Sequence, residues 1–153
     1  MKKILALMFC LIAFGFNNVS IAADVDEMIG QMIILGFKGN SVKSKGFKTV
    51  LNQVEKGEIG GVIFFEDNIK NKEDFLKMTT ALKNSKAKIK PFISIDMEGG
   101  YVLRMNENNG FKNFKSAKEV SNLTTKEAYK EYSDMAEELA KMNINLNFAP
   151  CVD

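Results

Sequence analysis

The stretch that decides the fold is residues 91–100, which read PFISIDMEGG. Its first half is a short apolar run typical of a buried strand, and the carboxylates of Asp96 and Glu98 follow directly. Acidic side chains at the end of a buried strand lie on a rigid scaffold, and the two glycines after them allow a sharp turn or a close approach to a ligand. A barrel of parallel strands keeps its substrate groups at this position. By spacing alone, a solvated acidic turn that merely ends a strand explains the pattern equally well.

Strand-like and helix-like runs alternate on both sides of this stretch, which favours repeating βα units and a parallel sheet. Strands are predicted at residues 32–37, 62–65, 92–95 and 146–149. Three stripes of apolar residues at helical spacing predict the intervening helices: Phe47, Val50, Leu51 and Val54; Phe75, Met78 and Leu82; Ala128, Tyr132, Met135, Ala136 and Leu139. Four such units are half of an eightfold barrel, which typically has about 250 residues.

Residues at the predicted helix ends support these boundaries. Gly57 is suited to end the first helix, and Asn71 to cap the second. Thr124 and Glu127 have the spacing of a capping box at the start of the third. The polar segment 106–110 is predicted to be a loop. Turn chemistry is the favoured explanation for Asp67 and Asn68 after the second strand.

Residues 96–104 (DMEGGYVLR) resemble the Asp-x-Glu-Gly-Gly-x-Val-x-Arg segment of the family 3 glycoside hydrolases, in particular the bacterial β-N-acetylglucosaminidases. Residues 29–37 and 60–69 are similar to the first and second barrel strands of that family, and residues 143–153 to its fourth strand and the loop after it. The resemblance implies an α/β fold that is the first half of a TIM-type (β/α)8 barrel, with about four βα units. It also implies a chain truncated after the fourth barrel strand.

The same resemblance implies substrate-binding roles for Asp96, Arg104 and Glu98. Asp96 would accept hydrogen bonds from hydroxyls of the non-reducing sugar, and Arg104 would donate to the same sugar through its planar guanidinium. Glu98 would lie beneath the site and tie the loop to backbone amides or to Arg104. Tyr101 stands where the family commonly has arginine, which puts in question one charged contact with a second sugar or its peptide. For Asp153 a structural role is favoured over a binding one.

The resemblance places the catalytic groups outside the matched segments. In the family the nucleophile is an aspartate late in the barrel, and the acetylglucosaminidase branch uses a histidine on a mobile loop as acid/base. This sequence contains no histidine, which excludes a histidine acid/base or a histidine metal site within it. We therefore expect no catalytic residue, metal or cofactor in this chain.

The function implied is release of terminal β-N-acetylglucosamine from peptidoglycan fragments or chitin-like oligosaccharides, with this chain carrying part of the sugar-binding pocket. Two alternatives stay open. One is a β-glucosidase of the same family, and the other is a non-catalytic sugar-binding protein or the product of a partial gene.

The first 22 residues have the features of a secretory signal peptide. Two lysines follow Met1, residues 4–16 are apolar but too short for a stable membrane anchor, and residues 20–22 (SIA) form a small-x-small cleavage signal. We predict cleavage after Ala22, a partial barrel domain at residues 23–153, and a periplasmic or secreted location. An uncleaved anchor or a buried N-terminal helix is disfavoured because the apolar run is short.

Composition and charge give no support for a nucleic-acid partner, and the carbohydrate partner is what the resemblance implies. The net charge of the whole chain is +2, and the two lysines of the predicted signal account for it. A neutral domain with interspersed charges has no broad basic surface for a phosphate backbone.

Overall fold

The computed structural model describes residues 25–151. The predicted signal peptide and Asp153 lie outside this range. Within it are five α-helices: α1 (Val25–Gln31), α2 (Lys45–Lys56), α3 (Lys72–Lys83), α4 (Ala117–Val120) and α5 (Thr125–Lys141). The strands are β1 (Ile34–Leu35), β2 (Gly61–Phe64), β3 (Phe92–Ile95), β4 (Met97–Gly99), β5 (Val102–Leu103) and β6 (Leu146–Asn147). Short 3-10 helices span Glu66–Asn68 and Glu107–Asn109.

Four of the strands form one parallel sheet in the order β1-β2-β3-β6. All three pairings are parallel, and each connection between neighbouring strands contains at least one helix. Among the described residues β1 and β6 each have a neighbour on one side only, so the sheet is open and not a closed barrel. The predicted α/β architecture of about four βα units is confirmed.

The core lies between the sheet and helices α2 and α3. A series of edge-to-face ring contacts runs through it, from Phe47 to Phe37, Phe64, Phe75 and Phe111, with centroids 5.1–6.2 Å apart. Phe64 and Phe75 are fully buried. Aromatic pairs in this geometry contribute beyond the apolar area that they bury. Phe47 and Phe75 of the helical stripes therefore pack in the core, as their spacing predicts, whereas Tyr132 of the third stripe is 37% exposed.

The predicted helix ends are confirmed. Gly57 ends α2 in the left-handed conformation, with φ of 76°. Asn71 caps α3, its side chain accepting from the backbone N–H of Asp74 at 2.8 Å. Thr124 and Glu127 form the reciprocal capping box of α5. The hydrogen bonds from the side chain and backbone of Thr124 lower the pKa of the Glu127 carboxyl.

The first strand is shorter than predicted. Residues 25–31 are helical, and backbone hydrogen bonds from Met32 to Ile29 and from Ile33 to Gly30 close the end of α1, so only Ile34–Leu35 joins the sheet. Met32, placed in the strand by its apolar character, is 85% exposed. The fourth strand is likewise reduced to Leu146–Asn147.

Candidate sugar-binding site

The candidate site lies at the carboxyl edge of the sheet. Asp96 directly follows β3, whose last residue, Ile95, pairs with Phe64 of β2 and Asn147 of β6. The next residue of each strand therefore reaches the same edge, and alternation directs Phe65, Asp96 and Phe148 to the sheet face opposite the helices. Phe65 and Phe148 are 42% and 47% exposed. Asp96 thus stands between two partly exposed aromatic rings.

Arg104 reaches Asp96 because residues 97–103 fold into a hairpin. Strands β4 and β5 pair antiparallel, with Met97 opposite Leu103, which brings the flanking residues Asp96 and Arg104 together. Arg104 Nη2 donates to Asp96 Oδ2 at 3.3 Å. Both side chains are mostly buried, at 29% exposed for Arg104 and 23% for Asp96. The structure thus brings together two of the three predicted site residues.

This ion pair leaves hydrogen-bonding capacity unused. Asp96 Oδ1 has no hydrogen bond within residues 25–151, and Arg104 Nε is buried with no partner in that range. A buried donor without a partner is costly, so such a group in a folded protein calls for an explanation. An ionised acceptor beside a fixed guanidinium fork can bind neighbouring hydroxyls of one sugar.

Glu98 does not make the contacts expected of it. It lies in the middle of β4 and is half-buried, but its carboxylate forms no hydrogen bond or ion pair with any residue of 25–151. Arg104 pairs with Asp96 instead, since the hairpin register places those two residues side by side. A direct role for Glu98 in substrate binding stays a prediction.

The two glycines of the motif approach the protein's own chain. Gly99 and Gly100 have φ of 88° and 63°, and Gly100 N–H donates to Phe114 O at 2.9 Å. A Cβ on Gly99 would collide with the carbonyl oxygen of Lys115, and one on Gly100 would lie 2.5 Å from Ser116 Cβ. The glycines therefore anchor the hairpin tip against residues 114–116, rather than making room for a ligand.

Two asparagines, Asn147 in β6 and Asn145 directly before it, support the site and were not predicted. The side chain of Asn147 accepts from Met97 N–H at 2.9 Å and donates to Met97 O at 3.0 Å. Asn145 makes the same two kinds of hydrogen bond near the start of β3. It accepts from Ile93 N–H at 2.8 Å and donates to Pro91 O at 3.0 Å. Because Met97 directly follows Asp96, Asn147 fixes the backbone at the start of the hairpin. The sequence signal is the alternation of asparagine with apolar residues at 143–148.

The predicted loop at 106–110 is an ordered turn that holds the other side of the ion pair. Asn109 Nδ2 donates to Arg104 O at 2.9 Å, and Asn106 Nδ2 donates to Glu66 Oε1 at 3.1 Å. Asn68, for which turn chemistry was predicted, accepts from Phe65 N–H at 2.8 Å and bridges to the loop after β1. Hydrogen bonds from asparagine side chains thus hold the loops around Asp96 and Arg104 at the carboxyl edge.

Among residues 25–151 no three histidine, cysteine or acidic side chains are grouped as a metal site would need. No helix in that part of the chain is long and apolar enough to cross a membrane.

Residues 24–153 match the glycosyl hydrolase family 3 N terminal domain. The chain belongs to this family. This match confirms the family predicted from the motif at 96–104. The parallel sheet, with Asp96 and Arg104 at its carboxyl edge, is consistent with the predicted fold. At the level of the family, the domain is that of a glycoside hydrolase.

The chain is similar to a hexosaminidase in sequence and to an acetylglucosaminidase in structure. The chain is 33% identical over 147 residues to beta-hexosaminidase A of Pseudoalteromonas piscicida, covering 83% of this chain and 24% of that protein. It superposes on a family 3 beta-N-acetylglucosaminidase from Paenibacillus sp. str. FPU-7 with a TM-score of 0.72 and 27% identity, covering 84% of this chain and 24% of the other. The chain therefore spans about a quarter of the length of these two relatives.

A third comparison shows the fold alone. NagZ from Neisseria gonorrhoeae, in complex with N-trifluoroacetyl-D-glucosamine, superposes with a TM-score of 0.59 at 23% identity, covering 77% of this chain and 35% of NagZ.

Proposed function

We propose that this chain supplies part of the sugar-binding site of a β-N-acetylglucosaminidase that removes terminal β-N-acetylglucosamine from oligosaccharides. The observation that carries the proposal is the Asp96–Arg104 ion pair, set at the carboxyl edge of a family 3 barrel sheet. Its unused acceptor and donor atoms suit adjacent hydroxyls of the non-reducing sugar. No residue of this chain is assigned a catalytic role.

Glycoside hydrolysis needs an acid that protonates the leaving oxygen and a second group that attacks the sugar or activates water. We assign Asp96 to neither role, because the resemblance at 96–104 implies a binding role and its ion pair with Arg104 joins two complementary binding groups. Binding is the better use of such a group. Fixed hydrogen bonds to hydroxyls that strengthen in the transition state contribute to catalysis without any proton transfer.

The relatives favour an acetylated amino sugar over glucose as the substrate. The two similar proteins above 25% identity are named beta-hexosaminidase A and beta-N-acetylglucosaminidase. We extend that specificity to this chain, with peptidoglycan fragments or chitin-like oligosaccharides as the source of the sugar. The predicted signal peptide supports a periplasmic or secreted location, where both polymers are accessible.

Rates on two matched substrates test the proposal. The full protein should hydrolyse an aryl β-N-acetylglucosaminide with a kcat/KM at least a hundredfold above that for the corresponding aryl β-glucoside, since a site that bonds the acetamido group leaves its polar groups unpaired with glucose. Comparable rates, or faster hydrolysis of the glucoside, would contradict the specificity and favour the β-glucosidase alternative. Binding of N-acetylglucosamine with no hydrolysis of either substrate would favour the non-catalytic alternative.

A further inference from the structure

A second concave surface adjoins the candidate site but contains neither Asp96 nor Arg104. It is a cavity of about 570 Å³ between the tip of the β4–β5 hairpin, the turn at 106–108 and the segment 113–115. Its lining includes Glu66, Tyr101, Asn108, Asn113 and Phe114. Because the hairpin forms one wall, this cavity and the Asp96–Arg104 pair share a structural element.

Tyr101 is the outstanding feature of this cavity. Its side chain is fully exposed at the hairpin tip, and its hydroxyl has no partner within residues 25–151. The backbone beneath it is fixed, since Gly100 N–H donates to Phe114 O at 2.9 Å and Phe114 is buried. A ring held outward on an anchored turn offers a flat apolar surface with a polar end, which is how tyrosine contributes to recognition surfaces.

Two polar residues that line the cavity have unused hydrogen-bonding atoms. Asn113 accepts from Glu107 N–H through Oδ1, and its amide N–H groups have no partner in the described range. Glu66 accepts from Asn106 through Oε1, and its other oxygen is likewise without a partner there. A sugar hydroxyl both donates and accepts, so an open amide donor and an open carboxylate acceptor on one rim match it.

The charges of the lining disfavour an acidic ligand. The cavity is lined by the carboxylates of Glu66 and Glu119, against one ammonium group, that of Lys115. Lys115 Nζ already lies 3.8 Å from Glu131 Oε2, so its charge is partly offset. Acidic residues therefore outnumber basic ones in the lining, so an anion entering the cavity would be repelled more than a neutral ligand.

We propose that this cavity is the subsite for the second, uncharged sugar of a chitin-like substrate, with Tyr101 as the ring on which that sugar stacks. The inference rests on the proposed function, and it selects chitin-like oligosaccharides from the two substrate sources named there. Asp96 lies at the base of the hairpin and Tyr101 at its tip, and the three residues of β4 lie between them, so at roughly 3.3 Å per strand residue the two are on the order of 10 Å apart. One sugar cannot reach both places, but the next unit of an oligosaccharide can.

Kinetics of the full protein with Tyr101 variants test the subsite. The probe substrate is the β-1,4-linked dimer of N-acetylglucosamine, and the monosaccharide serves as a competitive inhibitor that reports only the first sugar position. Tyr101→Ala should lower kcat/KM for the dimer about tenfold, through lost stacking, and leave the inhibition constant of the monosaccharide unchanged. Tyr101→Phe should retain most of the wild-type value, because the ring is kept. Tyr129→Ala, at a residue 77% exposed on α5, is the matched control and should change neither quantity.

The other possible results would contradict either the subsite alone or the proposed function as well. If Tyr101→Ala leaves the dimer's kcat/KM unchanged while the monosaccharide still inhibits, the subsite is wrong and the proposed function stands. If the wild-type protein neither hydrolyses the dimer nor binds the monosaccharide, both the subsite and the proposed function are wrong. A second dimer, in which N-acetylmuramic acid replaces the second sugar, tests the charge argument: it should be hydrolysed more slowly than the neutral dimer, and faster hydrolysis would overturn the assignment to an uncharged sugar.

Discussion

At Gly99 the protein has no room for a side chain, and this single position holds the hairpin of the candidate site in place. Its φ of 88° is in the left-handed region, and a Cβ there would strike the Lys115 carbonyl oxygen. Gly110 has nearly the same backbone conformation, with φ of 92°, but nothing lies within 4 Å of a Cβ built on it. A side chain at Gly110 would therefore meet only an unfavourable backbone conformation, whereas one at Gly99 would also collide with the backbone.

Gly99→Ala and Gly110→Ala should differ sharply in stability. A left-handed alanine costs about 1–2 kcal/mol, and this should be the whole effect at Gly110. At Gly99 the collision with backbone adds to it, for a total of roughly 3 kcal/mol or more. Denaturant unfolding of the two variants beside the wild type measures the difference. Equal losses of unfolding free energy would mean that the hairpin tip does not pack against residues 114–116 as described.

At the scale of elements, the segment 145–147, which contains β6, contacts the strand next to it through side chains as well as through backbone. Asn145 and Asn147 each make two hydrogen bonds to the backbone of the segment 91–97, but only those of Asn147 go to Met97, the residue after Asp96. The two residues form a matched pair with the same chemistry at different distances from the site.

Asn145→Ala and Asn147→Ala should each lower the free energy of unfolding by about 1–3 kcal/mol, because each leaves a backbone donor and an acceptor without its partner. Only Asn147→Ala should also weaken inhibition of the full protein by N-acetylglucosamine, since it frees the backbone next to Asp96. Measuring unfolding and inhibition on the same two variants checks this. Unchanged inhibition in Asn147→Ala would show that Asn147 has no positioning role, and equally weaker inhibition in both variants would show that the effect is not specific to the residue beside Asp96.

The elements that could be predicted from the sequence are those with local signals. The stripe from Phe47 to Val54 spans two turns of α2, and Gly57, Asn71 and Thr124 mark helix ends by their own backbone or side-chain preferences. The hairpin of β4 and β5 has only five strand residues, and α4 has four, so neither is long enough to show a period.

The site was predicted less completely than the helices. The motif indicated Asp96 and Arg104, but their mutual ion pair depends on the hairpin register. The expected tie from Glu98 is absent within the described range for the same reason. Asn147 was missed because its partners lie 50 residues away, on another strand. Contacts between distant segments leave no periodicity in a single sequence.

On the scale of the whole molecule, the open sheet leaves its inner face exposed. Three aromatic side chains on this face are partly accessible: Phe65 at 42%, Phe92 at 49% and Phe148 at 47%. Full closure of a barrel would cover these side chains with those of opposing strands. The edge strands β1 and β6 are only two residues long and offer few unpaired backbone groups. We therefore expect the exposed face to promote association more than the edges do.

A protein consisting of residues 23–153 alone should therefore self-associate or aggregate rather than remain a cooperatively folding monomer, since contiguous exposed apolar surface of this kind promotes association. Phe92→Lys should reduce that association by placing a charge on the exposed face, and Tyr129→Lys on α5 should not. Sedimentation over a range of concentrations, together with thermal unfolding, is the measurement. A wild-type fragment that sediments as a monomer and melts in one sharp transition would contradict this account.

We propose that Asp96, paired with Arg104, binds the hydroxyls of the non-reducing sugar, and kcat/KM of Asp96→Ala in the full protein tests this role most directly. Asp67→Ala is the control, because Asp67 is an exposed acidic residue that follows the neighbouring strand. We predict a loss of about a hundredfold or more for Asp96→Ala on an aryl β-N-acetylglucosaminide, equivalent to roughly 3 kcal/mol of transition-state binding, and less than a twofold change for Asp67→Ala. An Asp96→Ala protein that folds and keeps the wild-type kcat/KM would contradict the claim and leave Asp96 with a structural role only.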